Sequence, residues 1–121
     1  MKDNKKVDII QEVYTTLKSI MDHLEQKDPQ KAWLVEPYFK YFERAYQGMM
    51  QRKPVLWYLL SVPTEIFRSM DLVFVSPEII GATMAGFPDR PALKYFDIAA
   101  SHVSEQYCAI NRFPAGLART L

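Results

Sequence analysis

Two short apolar runs near the middle of the chain constrain its fold more than any other feature. The first covers residues 55–60 and the second covers residues 72–75. Apolar and polar side chains do not alternate in either run, which is typical of strands buried on both faces of a parallel sheet. A short helix is predicted from Pro63 between them, and parallel strands need such a crossover. The segment therefore predicts a parallel β-α-β unit.

Both runs lead into a similar set of residues. The first is followed by Ser-Val-Pro-Thr-Glu at 61–65, and the second by Ser-Pro-Glu at 76–78. Ser76 is predicted to cap the helix that begins at Pro77, because proline fits the first helical position and a glutamate there complements the positive end of the helix dipole. Because open α/β folds bind ligands beyond the carboxyl ends of parallel strands, Ser61 and Glu78 are candidates for one shared site. The alternative interpretation is that both residues only cap helices.

The first fifty residues have helical periodicity. Apolar residues at steps of three and four predict an amphipathic helix over residues 6–26. Asp28 is predicted to cap a second helical stretch over residues 29–52, which Pro37 is expected to break or kink. An aromatic stripe on this second stretch favours a helix-packing surface over a ligand-binding site, and it is the dimer interface in the alternative hypothesis of an interaction module. It comprises Tyr38, Phe42, Ala45 and Met49, widened by Phe39, Tyr41 and Tyr46.

The remainder of the chain predicts further short helices, at residues 77–86, 92–104 and 115–121. Residues 111–114 are expected to break the chain between the last two. The predicted fold class is thus α/β: a helical lead over residues 1–53, then a partial doubly wound, Rossmann- or flavodoxin-like parallel unit over residues 54–121. Two strands cannot form a sheet buried on both faces, so further strands are expected from a partner or from a longer protein.

Composition excludes several classes of function. The net charge of +1 leaves no electrostatic footprint for nucleic acid, and the basic cluster at residues 2–6 is interspersed with acidic side chains. No apolar run approaches the ~20 residues that span a bilayer, and the N-terminus lacks a signal-peptide core. One cysteine cannot form an internal disulfide. We therefore expect a cytoplasmic protein that binds neither nucleic acid nor membrane.

The residues alone do not define a metal centre. Cys108 is the only cysteine, and a buried free thiol is the favoured interpretation of it from the sequence. A metal role for Cys108 needs further ligands. His23 and His102 lie far apart without metal-ligand spacing, so each is interpreted as a surface or core histidine.

Three motifs occur in order along the second half of the chain: Ser-Val-Pro-Thr-Glu-Ile at 61–66, Ser-Pro-Glu-Ile-Ile at 76–80, and Cys-x-x-x-Arg-x-x-x-Gly at 108–116. With them, residues 52–119 resemble the start of the catalytic subunits of the 2-hydroxyacyl-CoA dehydratase and benzoyl-CoA reductase family. The preceding aromatic helix also suits the leader that these subunits carry.

The resemblance implies an oxygen-sensitive enzyme that acts on CoA thioesters together with a second homologous subunit. Three cysteines of each family subunit hold a [4Fe-4S] cluster, and an ATP-dependent activator protein delivers one low-potential electron to form a ketyl radical. By position, Cys108 would be the first cluster ligand. Ser61 would position the thioester or hydroxyl oxygen, and Glu78 would be the carboxylate near the open iron.

Family subunits are several times longer than 121 residues, and their other cluster cysteines lie beyond the stretch that matches here. The chain alone is therefore expected to be unable to complete the cluster and to be inactive. It is interpreted as an N-terminal part, or a degenerate relative, of a dehydratase or reductase subunit. The alternative hypothesis is a non-catalytic α/β interaction module that dimerises through its aromatic helical lead.

Overall fold

The computed structural model describes residues 4–59, 62–104, 106 and 108–120, and the side chains of all of these except residues 4–8 and 110. Six helices and two strands occur in the described ranges, in the order α1 (Asn4–Lys27), α2 (Pro29–Met50), β1 (Val55–Trp57), α3 (Glu65–Ser69), β2 (Val73–Val75), α4 (Pro77–Ala85), α5 (Leu93–Ala100) and α6 (Ala109–Thr120).

The predicted helical lead is confirmed as two helices that pack against each other. Ile10, Val13 and Leu17 form the buried stripe of α1, because their spacing of three and four places them on one face. The Asp28 carboxylate caps α2 by accepting the Lys31 backbone N–H at 3.3 Å. The Lys31 side chain, which pairs with the carboxylate, and this backbone hydrogen bond together hold the pKa of the Asp28 carboxyl below its usual range.

Aromatic rings join the two helices. Tyr14 of α1 stacks on Tyr46 with ring centroids 4.8 Å apart, and on Phe39 at 5.8 Å. Phe42 and Ala45, from the predicted stripe, are buried. The interpretation of the stripe as a packing surface is therefore confirmed for its central residues.

Of the predicted break or kink at Pro37, the break is wrong, because α2 continues through this proline to Met50. A proline in a helix leaves the carbonyl four residues earlier without its hydrogen bond. Here that carbonyl belongs to Trp33, and both Trp33 and Pro37 are exposed. Water can therefore satisfy the carbonyl, which lowers the cost of the proline.

The two strands pair in parallel, as the sequence predicts. Val55 is opposite Val73, and Trp57 is opposite Val75. The crossover helix α3 connects them, so the β-α-β unit and the α/β class are confirmed at this coarse level. However, β1 ends at Trp57 rather than residue 60, and Val55 is exposed. The expectation of burial on both faces is therefore wrong for β1, whose outer edge has no neighbouring strand in the described ranges.

One hydrophobic core connects the helical lead to the strands and helices that follow it. It includes Ile10 and Phe42 from the lead, Val75 from β2, Ile80 from α4 and Phe113 from α6. Helix α2 lies directly on β2, where a side chain at Gly48 would overlap the Val73 side chain. Glycine at this position permits the close approach of helix and strand.

The C-terminal third departs from the sequence-based prediction. The expected break at residues 111–114 is wrong, since α6 runs from Ala109 through Pro114 to Thr120. Burial of Phe113 and Leu117 in the core favours the helix despite the proline. Helix α4 ends at Ala85 with Gly86 as its C-cap, as predicted.

Candidate functional site

The carboxyl ends of β1 and β2 meet at one edge of the sheet. Tyr58 follows β1 and donates its backbone N–H to the Val75 carbonyl at 3.1 Å, which extends the strand pairing by one bond. Ser76 follows β2, and Glu78 lies in the first turn of α4. The pairing therefore places a serine and a glutamate at the edge where open α/β folds bind ligands.

Ser76 is completely buried and binds two neighbours. Its hydroxyl donates to Glu78 Oε2 at 2.5 Å, and its backbone N–H donates to the Tyr41 hydroxyl oxygen at 2.8 Å. Ser76 occupies the N-cap position of α4, but its side chain makes no capping hydrogen bond. The capping interpretation is thus right in position only, because the hydroxyl orients the Glu78 carboxylate instead.

Tyr41 of α2 and Tyr58 complete a polar cluster with Ser76 and Glu78. Burial raises the pKa of the Tyr41 phenol, and the Tyr58 side chain raises it further. The Ser76 N–H lowers this pKa, whereas the negative charge of Glu78 raises it. Tyr41 therefore keeps its proton and acts as a neutral hydroxyl that can accept and donate simultaneously.

Ser61, the other predicted catalytic residue, lies outside the described residues. Of the two predicted catalytic residues, the structure thus places Glu78 alone. It adds Ser76, Tyr41 and Tyr58, which sequence reasoning did not assign to the site. Tyr41 is 35 positions from Ser76, so no local motif connects them. The only signal in the sequence was that Tyr41, which carries a hydroxyl, lies beside the aromatic stripe of α2.

Cys108 is exposed, so the expectation of a buried thiol is wrong. It immediately precedes α6, and its carbonyl accepts the backbone N–H groups of Asn111 and Arg112 at 2.9 and 3.1 Å. Helix α6 packs against α4, which carries Glu78. Arg112 lies one turn after Cys108, with its guanidinium 5.8 Å from the centroid of the Phe96 ring.

The donor set fits only one corner of an iron–sulfur cluster. Cys108 supplies one accessible thiol, and such clusters take several cysteine thiolates. Within the part of the chain that the structure describes, no three His, Cys, Asp or Glu side chains are grouped as metal ligands. His23 and His102 are both exposed, as the surface interpretation predicted.

Comparisons with known proteins leave the site to be interpreted from its geometry. No protein-family model, no curated protein and no solved structure matches this chain. Across the described ranges, none of the helices combines the length and the apolar character needed to cross a bilayer.

Proposed function

We propose that this chain is the N-terminal part of an iron–sulfur subunit of a 2-hydroxyacyl-CoA dehydratase or benzoyl-CoA reductase-like enzyme. The observation that carries the proposal is the parallel pairing of β1 and β2, which puts Ser76 and Glu78 at the edge of the sheet where open α/β folds bind ligands. In this proposal the β-α-β-α part is the beginning of a doubly wound domain. The enzyme acts on CoA thioesters by low-potential, one-electron chemistry in the cytoplasm.

Glu78 is the proposed catalytic carboxylate beside the substrate. The Ser76 hydroxyl fixes one of its oxygens, and Tyr41 fixes the Ser76 backbone, so the carboxylate is oriented before substrate binds. Ser61 is proposed to position a substrate oxygen from the segment that follows β1. A preoriented acid of this kind can hold or transfer a proton with little reorganisation.

Cys108 is proposed as one ligand of a [4Fe-4S] cluster. Its exposed position at the start of α6 leaves the thiol accessible to a metal. When bound, the cluster supplies the electron for thioester reduction. The proposal requires further cysteines from additional polypeptide, because Cys108 is the only one in this sequence.

An apolar surface next to β1 supports the proposed second subunit. Leu59, Val62, Ile66 and Met70 all have exposed side chains in the segment between the strands. Exposed apolar surface of this kind is typical of protein interfaces. The ATP-dependent activator and the CoA thioester complete the proposed set of partners.

The test is to purify the product of the complete reading frame without oxygen and to measure its iron. We expect a brown protein with about four irons per subunit, and two further cysteines encoded beyond Leu121. Cys108→Ser should lower the iron content, whereas Asn111→Ala, an exposed change one turn later, should not. Full iron in Cys108→Ser would contradict the ligand assignment.

Glu78→Gln tests the carboxylate separately. We expect normal iron and a turnover reduced at least tenfold, since amide and carboxylate differ in charge and in proton transfer. Glu65→Gln, at the first turn of α3, is the matched control and should retain activity. Equal turnover of Glu78→Gln and the native enzyme would remove Glu78 from the mechanism.

A non-catalytic interaction module is the second candidate. Trp33, Leu34 and Tyr38 of α2 remain exposed, which favours a role in self-association of the helical lead. A colourless, iron-free protein whose sedimentation shows a dimer, and whose dimer is lost in Trp33→Ser, would support this candidate instead.

A further inference from the structure

A groove runs along β2, between this strand and α2. One wall is formed by α2 and the residues just after it, from Trp33 to Lys53, and the other by residues 71–74 together with Arg68 at the end of α3. Its volume is about 840 Å³, within the range that holds a nucleotide-sized ligand. Tyr41 lines the groove and also binds Ser76, so the groove adjoins the candidate site.

Both carboxylates in the groove are neutralised by neighbours. Within α2, Lys40 Nζ forms an ion pair with Glu36 Oε1 at 2.5 Å. Asp71 pairs with Lys53 at 2.6 Å and accepts its hydrogen bond. These two pairs leave no carboxylate in the groove wall to oppose its remaining charges.

Arg44 and Arg68 are those remaining charges. They line the groove from two different elements, α2 and α3, and within the described ranges neither forms an ion pair with a carboxylate. The groove lining therefore carries a net charge of +2 (four cations, two anions) in a chain whose total is only +1. Arginine forks match phosphate oxygens with two parallel hydrogen bonds, so two of them favour a phosphorylated ligand.

The backbone of β2 adds one donor, the Phe74 N–H, to the same groove. Val73 donates its N–H to the Pro54 carbonyl, and the Val75 carbonyl accepts from Tyr58, so these two residues face β1. Because backbone groups alternate between the two edges of a strand, the N–H and carbonyl of Phe74 face the groove. Trp33, with 71% of its surface exposed, presents a ring on which a base can stack.

We propose that this groove binds the phosphorylated nucleotide moiety of a ligand, with Arg44 and Arg68 on the phosphates and Trp33 on the base. The shared chemistry is an adenine nucleotide with phosphate esters, from coenzyme A or from a free nucleotide. Assigning it to the coenzyme A of a thioester rests on the proposed function. The binding itself does not rest on the proposed function, because it involves neither Cys108 nor the Ser76–Glu78 pair.

The test is calorimetric titration of the whole protein, without iron, with coenzyme A, ADP and inorganic phosphate. We expect coenzyme A or ADP to bind, more weakly as salt concentration rises. Arg44→Gln and Arg68→Gln should each weaken binding about tenfold, the effect of losing one charge-assisted contact. The double variant Lys18→Gln/Arg119→Gln is the control: it removes two exposed charges outside the groove and should leave the affinity unchanged. Thermal unfolding should show that all variants are equally folded.

These titrations distinguish the possible sources of the nucleotide and the possible occupants of the groove. Coenzyme A binding at least tenfold tighter than ADP supports the CoA assignment, and equal binding supports a free-nucleotide site. No binding of either nucleotide, or binding unaffected by both arginine changes, overturns the proposal. So does a dimer whose β2 amides become protected from hydrogen exchange, since a strand from a second copy would then fill the groove. Failure here leaves the iron content of Cys108→Ser as an independent test of the proposed function.

Discussion

Tyr41 connects the helical lead to the sheet edge through one oxygen atom. The hydroxyl accepts the Ser76 backbone N–H, and the Ser76 side chain holds Glu78. A polar group that is buried without a partner costs more free energy than an ordinary hydrogen bond gains. The Tyr41 hydroxyl is therefore the residue-scale feature on which the geometry of the carboxylate depends.

Tyr41→Phe should destabilise the protein by about 1–3 kcal/mol, because it leaves the buried Ser76 N–H without an acceptor. The measurement is the free energy of unfolding in urea. Tyr38→Phe, three residues earlier on the same helix and 49% exposed, is the matched control and should change stability by less than about 0.5 kcal/mol. Equal effects of the two changes would show that the Ser76 contact contributes nothing.

The same hydroxyl predicts the pH dependence of stability in alkali. Burial and the Tyr58 side chain raise the Tyr41 pKa above the ordinary tyrosine value of 10.0 in the folded protein. Above about pH 10 the unfolded chain thus loses a proton that the folded chain keeps, and stability falls by up to about 1.4 kcal/mol per pH unit. The contribution is complete below pH 10 and decreases as pH rises toward the folded pKa.

Unfolding free energies of the native protein and Tyr41→Phe, measured between about pH 9 and about pH 11, check this dependence. We expect the difference between them to shrink above pH 10, since only the native protein carries the titrating phenol. Parallel curves across this range would mean that Tyr41 ionises normally.

Sequence reasoning found part of this cluster. Glu78 was predicted because a glutamate after a strand and a proline is a local pattern. Ser76 was read as a cap, and its bond to Glu78 depends on a rotamer that the sequence does not specify. Tyr41 and Tyr58 were missed because they reach the site by tertiary packing of α2 and β1.

At the scale of elements, the pattern of apolar residues predicted the structure better than the positions of the prolines did. Helix α1 followed from the spacing of apolar residues and the parallel pairing from two uninterrupted apolar runs, but two prolines were overinterpreted. Pro37 lies inside α2, where water can satisfy the carbonyl that it frees, and Pro114 lies inside α6, where burial of Phe113 and Leu117 outweighs the lost hydrogen bond. Strand β1 is shorter than predicted because its partner β2 ends at Val75 and is followed by Pro77, which has no N–H to continue the pairing.

The packing of α5 on α6 depends on Gly116, the glycine of the Cys-x-x-x-Arg-x-x-x-Gly motif. A Cβ atom there would overlap the Tyr95 carbonyl, which is backbone and cannot rotate away. Gly116→Ala should therefore cost about 1–3 kcal/mol by overpacking, measured by thermal or urea unfolding.

Gly86→Ala provides the control for this prediction. Gly86 is exposed at the end of α4, with φ −79°, and a Cβ would lie 3.4 Å from the Thr83 carbonyl oxygen. We expect its stability to stay within about 0.5 kcal/mol of the native value. A Gly116→Ala variant as stable as Gly86→Ala would show that the two helices can separate freely.

At the scale of the whole molecule, one core spans the boundary that the sequence placed between residues 1–53 and residues 54–121. Ile10 of α1 belongs to the same cluster as Val75 of β2 and Leu117 of α6. A change from helical periodicity to uninterrupted apolar runs marks that boundary in the sequence. The contacts across it were not predictable, because they join residues far apart along the chain.

Ile10→Ala should lower stability by about 2–5 kcal/mol and should do so for the whole chain at once. Urea unfolding followed by far-ultraviolet circular dichroism reports the helices. Trp57 fluorescence, in a Trp33→Phe background, reports the sheet. We expect both signals to shift together, whereas Ile66→Ala, at a position 57% exposed, should shift neither by more than about 0.5 kcal/mol.

A Trp57 signal that stays at its native midpoint while the helical signal shifts would contradict a shared core. That result would mean that residues 1–53 and residues 54–121 unfold independently.

Arg44 and Arg68, which lie beside the edge of β2, also favour solubility. An unpaired strand edge is a template on which identical chains can assemble into fibrils. Two copies meeting edge to edge around a two-fold axis would bring Arg44 and Arg68 of each toward the same pair of the other, and the repulsion opposes that encounter. Polyphosphate or concentrated salt should weaken this protection, so the same charges that attract an anion also keep the molecule dispersed.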